Sequence, residues 1–463
     1  MANDWKGRRA TVMGLGLFGG GAAAARYLAR AGAHVTITDK RTREELAPAI
    51  AQLDGLPIEL ALGGHAAAHF DGADLVVLNP AVDPRNEWVQ YARSRGSLVT
   101  SEVALFLERC TARVHCVTGT QGKSSTSTML HQLLAGSGLV AHLGGNIGRS
   151  LVESAEQIGE DERVVLELSS YQLESLTDQL AHLATPPRVE SVACVNVLPD
   201  HLDRHGSFEQ YAKAKERILD LVDATGGHAV LPAEDPTTRA WTRPHAKRVD
   251  AWFEASTDRG LNMRGGEFRL DREVLGRVED LRIPGAFQRR NALVALGMAR
   301  LAGVPAEHLA ALVCDLRAPS HRLEDLGLRG GHRVWDNGVS TTPDSTLAVY
   351  ESLSSPVCLL VGGKSKDLPL EALASLAKGK VARVVAFGHA GAVLRDAFHA
   401  EGIEAVAVPT VRAAVAEAYA RMQPGEELLF SPACASFDAY KNFKERAEDF
   451  RQALPAADAG DGA

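Results

Sequence analysis

A glycine-rich segment near position 120 carries the clearest chemistry in the sequence. Residues 117–126 read Val-Thr-Gly-Thr-Gln-Gly-Lys-Ser-Ser-Thr, after an apolar run and before a stretch with helical periodicity. Gly119 and Gly122 permit a tight turn, which lets the backbone approach a phosphate group. Lys123 can reach the β- and γ-phosphates of a nucleotide, and Ser124 can bind Mg²⁺. The segment predicts a phosphate-binding loop, although valine stands where the full pattern has its first glycine. An ordinary glycine turn is the alternative.

Acidic and histidine side chains follow two more of the predicted strands. Glu167 lies in the apolar run Val164–Leu168, and the sequence Asp-His-Leu-Asp-Arg-His at 200–205 follows the strand predicted at Val192–Val197. Ligands bind at the carboxyl ends of parallel strands in α/β sheets. Carboxylate oxygens are the ligands that Mg²⁺ prefers. We therefore expect a magnesium site at this edge, with surface or helix-capping groups as the alternative.

Two lysines lie on the next predicted helix, Phe208–Val222. Lys213 and Lys215 are two positions apart on this helix. Spacing alone favours a solvent-exposed basic face, because long charged side chains usually keep their charged ends in water.

A second glycine motif lies near the N-terminus. Residues 14–19 read Gly-Leu-Gly-Leu-Phe-Gly between a strand predicted at Ala10–Met13 and a helical stretch, and Asp39 follows the next predicted strand, His34–Thr38. This arrangement is typical of a dinucleotide site, which would make the protein an NAD-dependent oxidoreductase. The glycines and the free N–H groups of a helix start would equally suit another nucleotide diphosphate. Both interpretations stay open on this motif alone.

Length and composition set the class of protein. The chain has 463 residues, of which 45% are hydrophobic and 23% charged, with a formal net charge of −8. This is the composition of a globular protein with about three domains. The acidic balance gives no reason to expect a nucleic acid partner. Six cysteines without a Cys-x-x-Cys pair favour reduced thiols in the cytoplasm, and no apolar stretch predicts membrane insertion.

Short apolar runs alternate with helical stretches along the chain, which predicts α/β domains with largely parallel sheets. The polar turn at residues 317–320 reads as a linker between domains. The remaining predicted strands are Leu75–Leu78, Val114–Val117, Val357–Val361, Val381–Phe387 and Leu428–Phe430, and the remaining predicted helices are Lys123–Leu134 and Leu293–Leu301.

Several motifs together give the chain a family resemblance. It resembles the Mur ligases of peptidoglycan synthesis, most closely the branch that adds glutamate to UDP-N-acetylmuramoyl-L-alanine. The motifs follow the family's order over nearly the whole chain, and the third and seventh are specific to this branch. They are Thr118–Ser124, Gly144–Gly148, Leu166–Glu174, Asp200–Asp203, Tyr211–Ile218, His321–Arg322, Ser431–Ser436 and Lys441–Phe443.

The resemblance implies three α/β domains. These are a Rossmann-like UDP-binding domain at 1–110, a P-loop ATPase-like central domain at 111–317 and a Rossmann-like glutamate-binding domain at 318–463. It assigns the N-terminal glycine loop to the UDP of the substrate rather than to a dinucleotide. The residues implied to bind the UDP substrate are Leu15, Gly16, Phe18, Asp39, Arg41 and Asn146.

The resemblance also implies ATP and two Mg²⁺ ions. The residues implied to bind ATP are Gly119, Thr120, Gly122, Lys123, Ser124, Ser125, Asn291 and Arg322. The residues implied to hold metal are Ser124, Glu167, His201 and a carbamylated Lys215. Lys123, His201 and Lys215 are the implied catalytic residues.

The implied reaction has two steps and uses three substrates. The alanyl carboxylate attacks the γ-phosphate of ATP to give an acyl phosphate, and the amine of glutamate then displaces phosphate. Closure of the third domain about the 317–320 turn would bring in the amino acid. The residues implied to bind glutamate are Thr341, Lys364, Ser436 and Phe443.

One segment departs from the family pattern. Enzymes of this branch that use D-glutamate usually have Asp-Ser-Lys-Ala-Thr-Asn where this chain has Asn-Gly-Val-Ser-Thr-Thr at 337–342. Only Thr341 is retained, and loss of the lysine removes a charge-assisted contact worth about 1.5–3 kcal/mol. Lys364 and Lys366 would partly replace that charge. The pattern resembles enzymes that add L-glutamate and leave the product to an epimerase; D-glutamate and a non-catalytic nucleotide-binding regulator are the alternatives.

Overall fold

The described part of the chain forms three sheets flanked by helices, which is a three-domain α/β fold. The computed structural model describes residues 5–17, 19–253, 259–350, 356–364 and 371–458. Within these ranges no helix combines the length and apolar character needed to cross a membrane. The chain divides into two compact units, Met1–Val278 with Asn291–Val313, and Glu279–Arg290 with Cys314–Ala463. The first unit contains two of the sheets.

The first sheet is parallel throughout. Its strands and helices are β1 Arg9–Met13, α1 Gly20–Arg30, β2 His34–Asp39, α2 Ala47–Ile50, β3 Ile58–Leu62, β4 Leu75–Leu78, α3 Glu87–Ser94, β5 Leu98–Ser101 and α4 Glu102–Arg109. The strand order is β3-β2-β1-β4-β5. The loops after β1 and β4 therefore leave the sheet side by side, at the point where the strand order reverses. Open α/β sheets bind ligands at such a switch point.

In the second sheet, the strand before the phosphate loop lies between two other strands. Each of these two strands is followed by a polar segment. The elements of this part of the chain are β6 Arg113–Thr118, α5 Lys123–Gly136, β7 Ala141–Gly145, β8 Arg163–Glu167, α6 Ser170–Leu180, β9 Val189–Cys194, α7 Leu202–His205, α8 Phe208–Glu216, α9 Ile218–Asp223, β10 His228–Pro232, α10 Pro236–Arg239, β11 Lys247–Trp252, β12 Leu261–Arg264, β13 Glu267–Leu270, β14 Glu273–Arg277, α11 Ala286–Leu301 and α12 Ala306–Leu312. The order is β14-β13-β12-β11-β10-β9-β6-β8-β7, with antiparallel pairing only among β12, β13 and β14. Because β8 and β9 flank β6 in parallel, the segments after these three strands meet at one edge.

The third sheet belongs to the second unit. Its elements are β15 Glu324–Arg329, β16 His332–Asp336, α13 Pro343–Tyr350, β17 Val357–Gly362, α14 Glu371–Ser375, β18 Val381–Phe387, α15 Gly391–Ala400, β19 Glu404–Val408, α16 Val411–Arg421, β20 Glu427–Ala433 and α17 Phe443–Ala453. The order is β15-β16-β20-β17-β18-β19, and β15 pairs with β16 antiparallel. β17 is buried on both faces: Cys358 and Leu360 pack in a cluster with α16 and α17, whereas Leu359 and Val361 pack in another with α14 and α15. A continuous apolar run such as this is typical of a strand covered on both sides.

The strand predictions agree with the structure to within about three residues at each end, and two helix predictions have wrong bounds. The strand predicted at Val192–Val197 ends at Cys194, because the next apolar residues lie under the phosphate loop: a Cβ on Gly122 would approach Val195 Cγ1 to 3.1 Å. The helix predicted at Phe208–Val222 is broken into α8 and α9 at Arg217. The helix predicted from Leu293 begins at Ala286, since its first turns are polar and lack the apolar spacing.

We predict that the core of the third sheet depends on a stacked pair of phenylalanines. Phe450 is fully buried, and its ring lies 4.2 Å from that of Phe430, centroid to centroid. Phe450→Ala should lower the free energy of unfolding by about 3–5 kcal/mol, because it leaves a cavity in a packed core. Phe437 is 67% exposed, so Phe437→Ala should change it by less than about 0.5 kcal/mol. Chemical denaturation followed by circular dichroism measures both, and equal losses would contradict this packing.

Candidate active site

The phosphate loop connects β6 to α5 and is held by its neighbours. The backbone N–H groups of Thr120 and Gln121 donate to Asn196 Oδ1 at 3.1 and 2.9 Å. Gly122 has a φ of 79°, and a Cβ at this position would run into Asn291 Oδ1. The left-handed backbone and the close approach of α11 both require glycine here. The loop is therefore held in this conformation by two other segments of the first unit.

Two lysine side chains converge on one carbonyl oxygen of this loop. Lys123 Nζ donates to the carbonyl oxygens of Gly119 and Thr120, each at 2.8 Å. Lys215 Nζ donates to the same Gly119 oxygen at 2.7 Å, and it lies 4.6 Å from the centroid of the Tyr211 ring. The Tyr211 hydroxyl is 2.9 Å from Thr120 Oγ1. The loop thus gathers two amines where the phosphates of a nucleotide would bind.

Lys215 lies beneath the phosphate loop rather than on a solvent-exposed face. Its side chain is among the largest fully buried ones in the described chain. Burial, and after it the nearby Lys123 cation, lowers the pKa of Lys215 to about 7. The prediction of an exposed basic face is therefore wrong for Lys215, which turns inward, and correct for Lys213, which is exposed.

Glu167, at the end of β8, has one carboxylate oxygen engaged and one without a hydrogen bond. Oε1 accepts from Asn146 Nδ2 at 2.8 Å. Oε2 is buried and has no hydrogen-bond partner among the described residues. Ser124 is also buried, in the first turn of α5. A buried carboxylate oxygen is costly without a donor or a cation, so the set of oxygen ligands fits a divalent cation such as Mg²⁺.

His201 lies in the segment after β9 and is oriented by an aromatic neighbour. Its Nδ1 is 3.2 Å from the Tyr171 hydroxyl, and its backbone N–H donates to Asp200 Oδ1 at 2.9 Å. The residue has a φ of 51° and leaves about half of its side chain exposed. The imidazole is accessible to a ligand. Tyr171 was not among the predicted site residues, although it lies inside the Leu166–Glu174 motif that carries the family resemblance.

A cavity of about 410 Å³ opens at the switch point of the first sheet. The N-terminal glycine loop lines it, together with Asp39 and Arg41. The Asp39 carboxylate accepts from the backbone N–H groups of Leu15, Gly16 and Arg41 at 2.9, 3.3 and 2.9 Å. Three of the predicted UDP-binding residues, Gly16, Asp39 and Arg41, thus line one cavity, and Leu15 is connected to it through its backbone hydrogen bond to Asp39. Phe18, also predicted, lies outside the described residues.

The amide of Asn79, from the loop after β4, lies directly against this glycine loop. A Cβ on Gly16 would come within 2.7 Å of Asn79 Nδ2, and one on Gly14 within 2.8 Å of Asn79 Cβ. Glycine is needed because backbone and side chain are in contact here. The two loops form one wall of the cavity.

The segment at 337–342, which differs from the family pattern, packs into the core of the third sheet. Asn337 is buried, and its Nδ2 donates to Ser431 Oγ at 2.9 Å. A Cβ on Gly338 would lie 2.6 Å from Ala447 Cβ on α17, so no side chain fits there. Thr341, predicted to bind glutamate, is half-buried within this segment. Of the residues that replace the usual acid and serine, Asn337 thus has its amide donor engaged inside the core, and Gly338 has no side chain.

An acidic cluster next to this segment is neutralised by an arginine of the protein. Asp336 is fully buried and accepts from His321 Nδ1 and Arg451 Nε, both at 2.7 Å. Arg451 also pairs with Glu324. The side chains of His321, Glu324 and Asp336 lie close enough together to hold a metal ion. The Arg451 guanidinium, however, already neutralises both carboxylates. We interpret the cluster as a structural ion-pair network.

A buried arginine joins the segments predicted to bind glutamate. Arg446 is fully buried, and its Nη1 donates to the carbonyl oxygens of Cys434 and Gly362 at 2.8 and 3.4 Å. Its Nη2 donates to those of Gly338 and Ser340, each at 3.4 Å. Burial lowers its pKa to about 10. Sequence reasoning missed this residue, because nothing in its spacing shows that a charged helical side chain points inward.

The remaining predicted residues are placed as follows. Ser436 is buried, Phe443 is half-buried with its ring edge-on to His321 at 6.5 Å between centroids, and Lys364 is exposed. Arg322 is half-buried just before β15 in the second unit. Ser125 is buried on α5. Lys366 lies outside the described residues.

The chain matches two family models and many curated relatives. Residues 117–299 match the Mur ligase middle domain, and residues 8–101 match the Mur ligase MurD-like N-terminal domain. A UDP-N-acetylmuramoylalanine–D-glutamate ligase of Symbiobacterium thermophilum is 34% identical over 97% of this chain and 98% of its own length. An enzyme of the same name from Geotalea uraniireducens is also 34% identical, over 97% and 98%.

Solved structures share the fold. The chain is similar to UDP-N-acetylmuramate-alanine ligase MurC of Thermotoga maritima, with a TM-score of 0.60, 19% identity and coverage of 96% of this chain and 98% of that one. It is also similar to a MurF ligase of Thermotoga maritima in complex with ADP, with a TM-score of 0.56, 18% identity and coverage of 98% and 96%. The near full-length relatives and the two matched domains show that the chain belongs to the Mur ligases, the ATP-dependent enzymes that form amide bonds in peptidoglycan synthesis.

Proposed function

We propose that this Mur ligase joins L-glutamate to UDP-N-acetylmuramoyl-L-alanine, with cleavage of ATP to ADP and phosphate. The observation that carries the proposal is the convergence of Lys123 and Lys215 on the Gly119 carbonyl, with the unpaired Glu167 oxygen at the end of the neighbouring strand. The relatives' names, which specify UDP-N-acetylmuramoylalanine and D-glutamate, support the nucleotide substrate and glutamate as the amino acid, whereas the choice of the L-isomer rests on the altered segment at 337–342. Family membership sets aside the oxidoreductase interpretation of the N-terminal glycine motif.

The side chains of the first unit support an acyl-phosphate mechanism. The alanyl carboxylate would attack the γ-phosphate of ATP, and the glutamate amine would then attack the acyl carbon as phosphate leaves. Lys123 would exchange its two loop carbonyls for phosphate oxygens and offset their growing negative charge. The N–H groups at the start of α5 favour the same charge.

Magnesium fits the oxygen ligands of this site. We propose Ser124, Glu167, His201 and a carbamylated Lys215 as the residues that hold two Mg²⁺ ions, which would neutralise phosphate oxygens when bound. Carbamylation converts a buried amine into an anion. The lowered pKa of Lys215 supports this, because only the neutral amine reacts with CO₂.

The altered segment supports a changed amino-acid pocket. Asn337 bonds to Ser431 inside the core, Gly338 has no room for a side chain, and Val339 carries no cation. A clamp built from an acid, a serine and a lysine is therefore absent from these positions, and a different enantiomer would meet different contacts. The product would need an epimerase if the D-isomer is required later.

D-Glutamate is the second candidate. The curated relatives described above are named as D-glutamate ligases. The retained Thr341 and Ser436 are consistent with that enantiomer as well.

We also propose domain bounds of 1–110, 111–317 and 318–463. The three sheets fall inside these bounds, with strands between residues 9 and 101, 113 and 277, and 324 and 433.

The first prediction of this proposal concerns the enantiomer. Phosphate release is measured with ATP, Mg²⁺ and UDP-N-acetylmuramoyl-L-alanine, with L- or D-glutamate added separately and the product identified by mass. We expect turnover with L-glutamate and little with the D-isomer, since the usual side-chain clamp is missing. Turnover with D-glutamate alone would contradict the stereochemical assignment, and none with either would contradict the ligase activity proposed here.

The second prediction concerns the phosphate loop. Lys123→Ala should lower kcat by about 10²–10³-fold, because it removes a charged donor from the transferring phosphoryl group. Lys213→Ala is the matched control, since this lysine is exposed on α8 and should leave kcat unchanged. Steady-state phosphate release measures both. An active Lys123→Ala variant would overturn the assignment of the loop.

The third prediction concerns carbamylation of Lys215. Removing CO₂ from the buffer should lower activity, and bicarbonate should restore it. ¹³C-bicarbonate should give a carbamate carbon signal in the wild-type protein and in Lys213→Ala. Lys215→Ala should lose that signal and respond to neither treatment. A signal that persists in Lys215→Ala would contradict this role.

A further inference from the structure

Arg204 lies between the cavity of the first sheet and the segment that carries His201. Its side chain lines the cavity, yet it belongs to α7, which follows a strand of the second sheet. Nη1 donates to the carbonyl oxygen of Ala81 at 3.4 Å, and Nη2 to that of Val82 at 3.2 Å. These carbonyls belong to the turn that begins at Asn79, whose side chain contacts the glycine loop. Arg204 therefore holds one wall of the cavity.

The same guanidinium is held from the other side by α6. Nη2 donates to Glu174 Oε2 at 3.0 Å, and the guanidinium carbon lies 5.1 Å from the centroid of the Tyr171 ring. The Arg204 side chain is only 12% exposed. A planar fork suits this position, because it can bond to two carbonyls and a carboxylate while it stacks on an aromatic ring.

These contacts also determine where His201 lies. The Tyr171 ring that supports Arg204 carries the hydroxyl that is 3.2 Å from His201 Nδ1. α7 has only four residues, and His201 is its N-cap in a left-handed conformation. So short a helix is marginal by itself. The position of the imidazole therefore depends on the side-chain contacts of the segment.

We propose that Arg204 is a positioning residue that couples occupancy of the cavity by the UDP-sugar to binding of ATP at the phosphate loop. A ligand that orders the Asn79–Val82 turn would order Arg204 and, through Tyr171, the His201 imidazole. The second ligand would then bind to a segment that is already ordered, which gives positive coupling between the two sites. The inference rests on the proposed function, since that function assigns the UDP-sugar to the cavity.

The test measures coupling between two ligands without turnover. Calorimetry gives the affinity for AMP-PNP with Mg²⁺ in the presence and absence of UDP-N-acetylmuramoyl-L-alanine, with no glutamate added. We expect the wild-type protein to bind the nucleotide at least about fivefold more tightly when the UDP-sugar is present. In Arg204→Met this ratio should fall to about one, while AMP-PNP alone binds within about threefold of its wild-type affinity. If Arg204 only stabilised the fold, the variant would bind both ligands more weakly, including AMP-PNP alone.

Two further variants make the outcome decisive. Arg8→Met removes an arginine just before β1 that is 59% exposed, pairs with Asp74 and is not among the residues lining the cavity, so the ratio should stay at its wild-type value. Arg204→Lys keeps the charge and the alkyl stem but not the fork, so it should also lower the ratio and serves where the methionine variant does not fold. An unchanged ratio in the foldable Arg204 variant, or a wild-type ratio of one, would overturn the coupling alone. Failure of the wild-type protein to bind the UDP-sugar would overturn the proposed function and the coupling together.

Discussion

The carbonyl oxygen of Gly119 accepts hydrogen bonds from two lysine amines, and much of the site follows from that arrangement. Two cations so close together repel each other, and burial makes the repulsion stronger. Burial first, and this repulsion second, lower the pKa of Lys215, so that this amine readily loses its proton. A nucleotide's phosphates would relieve the repulsion further by attracting Lys123. The loop is therefore electrostatically prepared for an anion, and its conformation is already set by Asn196 and Asn291.

Sequence patterns located the strands and the segments after them, because strand alternation and glycine turns are local properties. They placed Glu167 and the 200–205 segment correctly beside the phosphate loop, since neighbouring parallel strands end at one edge. The environment of Lys215 was predicted wrongly. Helical spacing shows which residues share a face of the helix, but it does not show that a loop after another strand covers that face. Tyr171 and Arg446 were missed for the same reason. Each acts through contacts between segments distant in sequence, which no local pattern records.

The second unit uses buried charge in two different ways. Asp336 is neutralised by the Arg451 guanidinium and is also hydrogen-bonded to His321, so charge meets charge. Arg446 instead has only carbonyl oxygens as its hydrogen-bond partners in the described chain. The partial negative charges of four carbonyl oxygens, from three backbone segments, take the place of one carboxylate. The guanidinium therefore connects these backbone segments. Such a connection fixes the relative positions of the loops that carry Ser340 and Cys434.

The contact between Gly338 and Ala447 also links the choice of residue at two distant positions. A serine at position 338 would place its Cβ 2.6 Å from the Ala447 methyl group, so the backbone near position 338 or α17 would have to shift to admit it. A residue of the amino-acid pocket and a residue of a core helix are therefore not independent. Redesign of the pocket at position 338 calls for a change at position 447 as well, whichever amino acid the enzyme accepts.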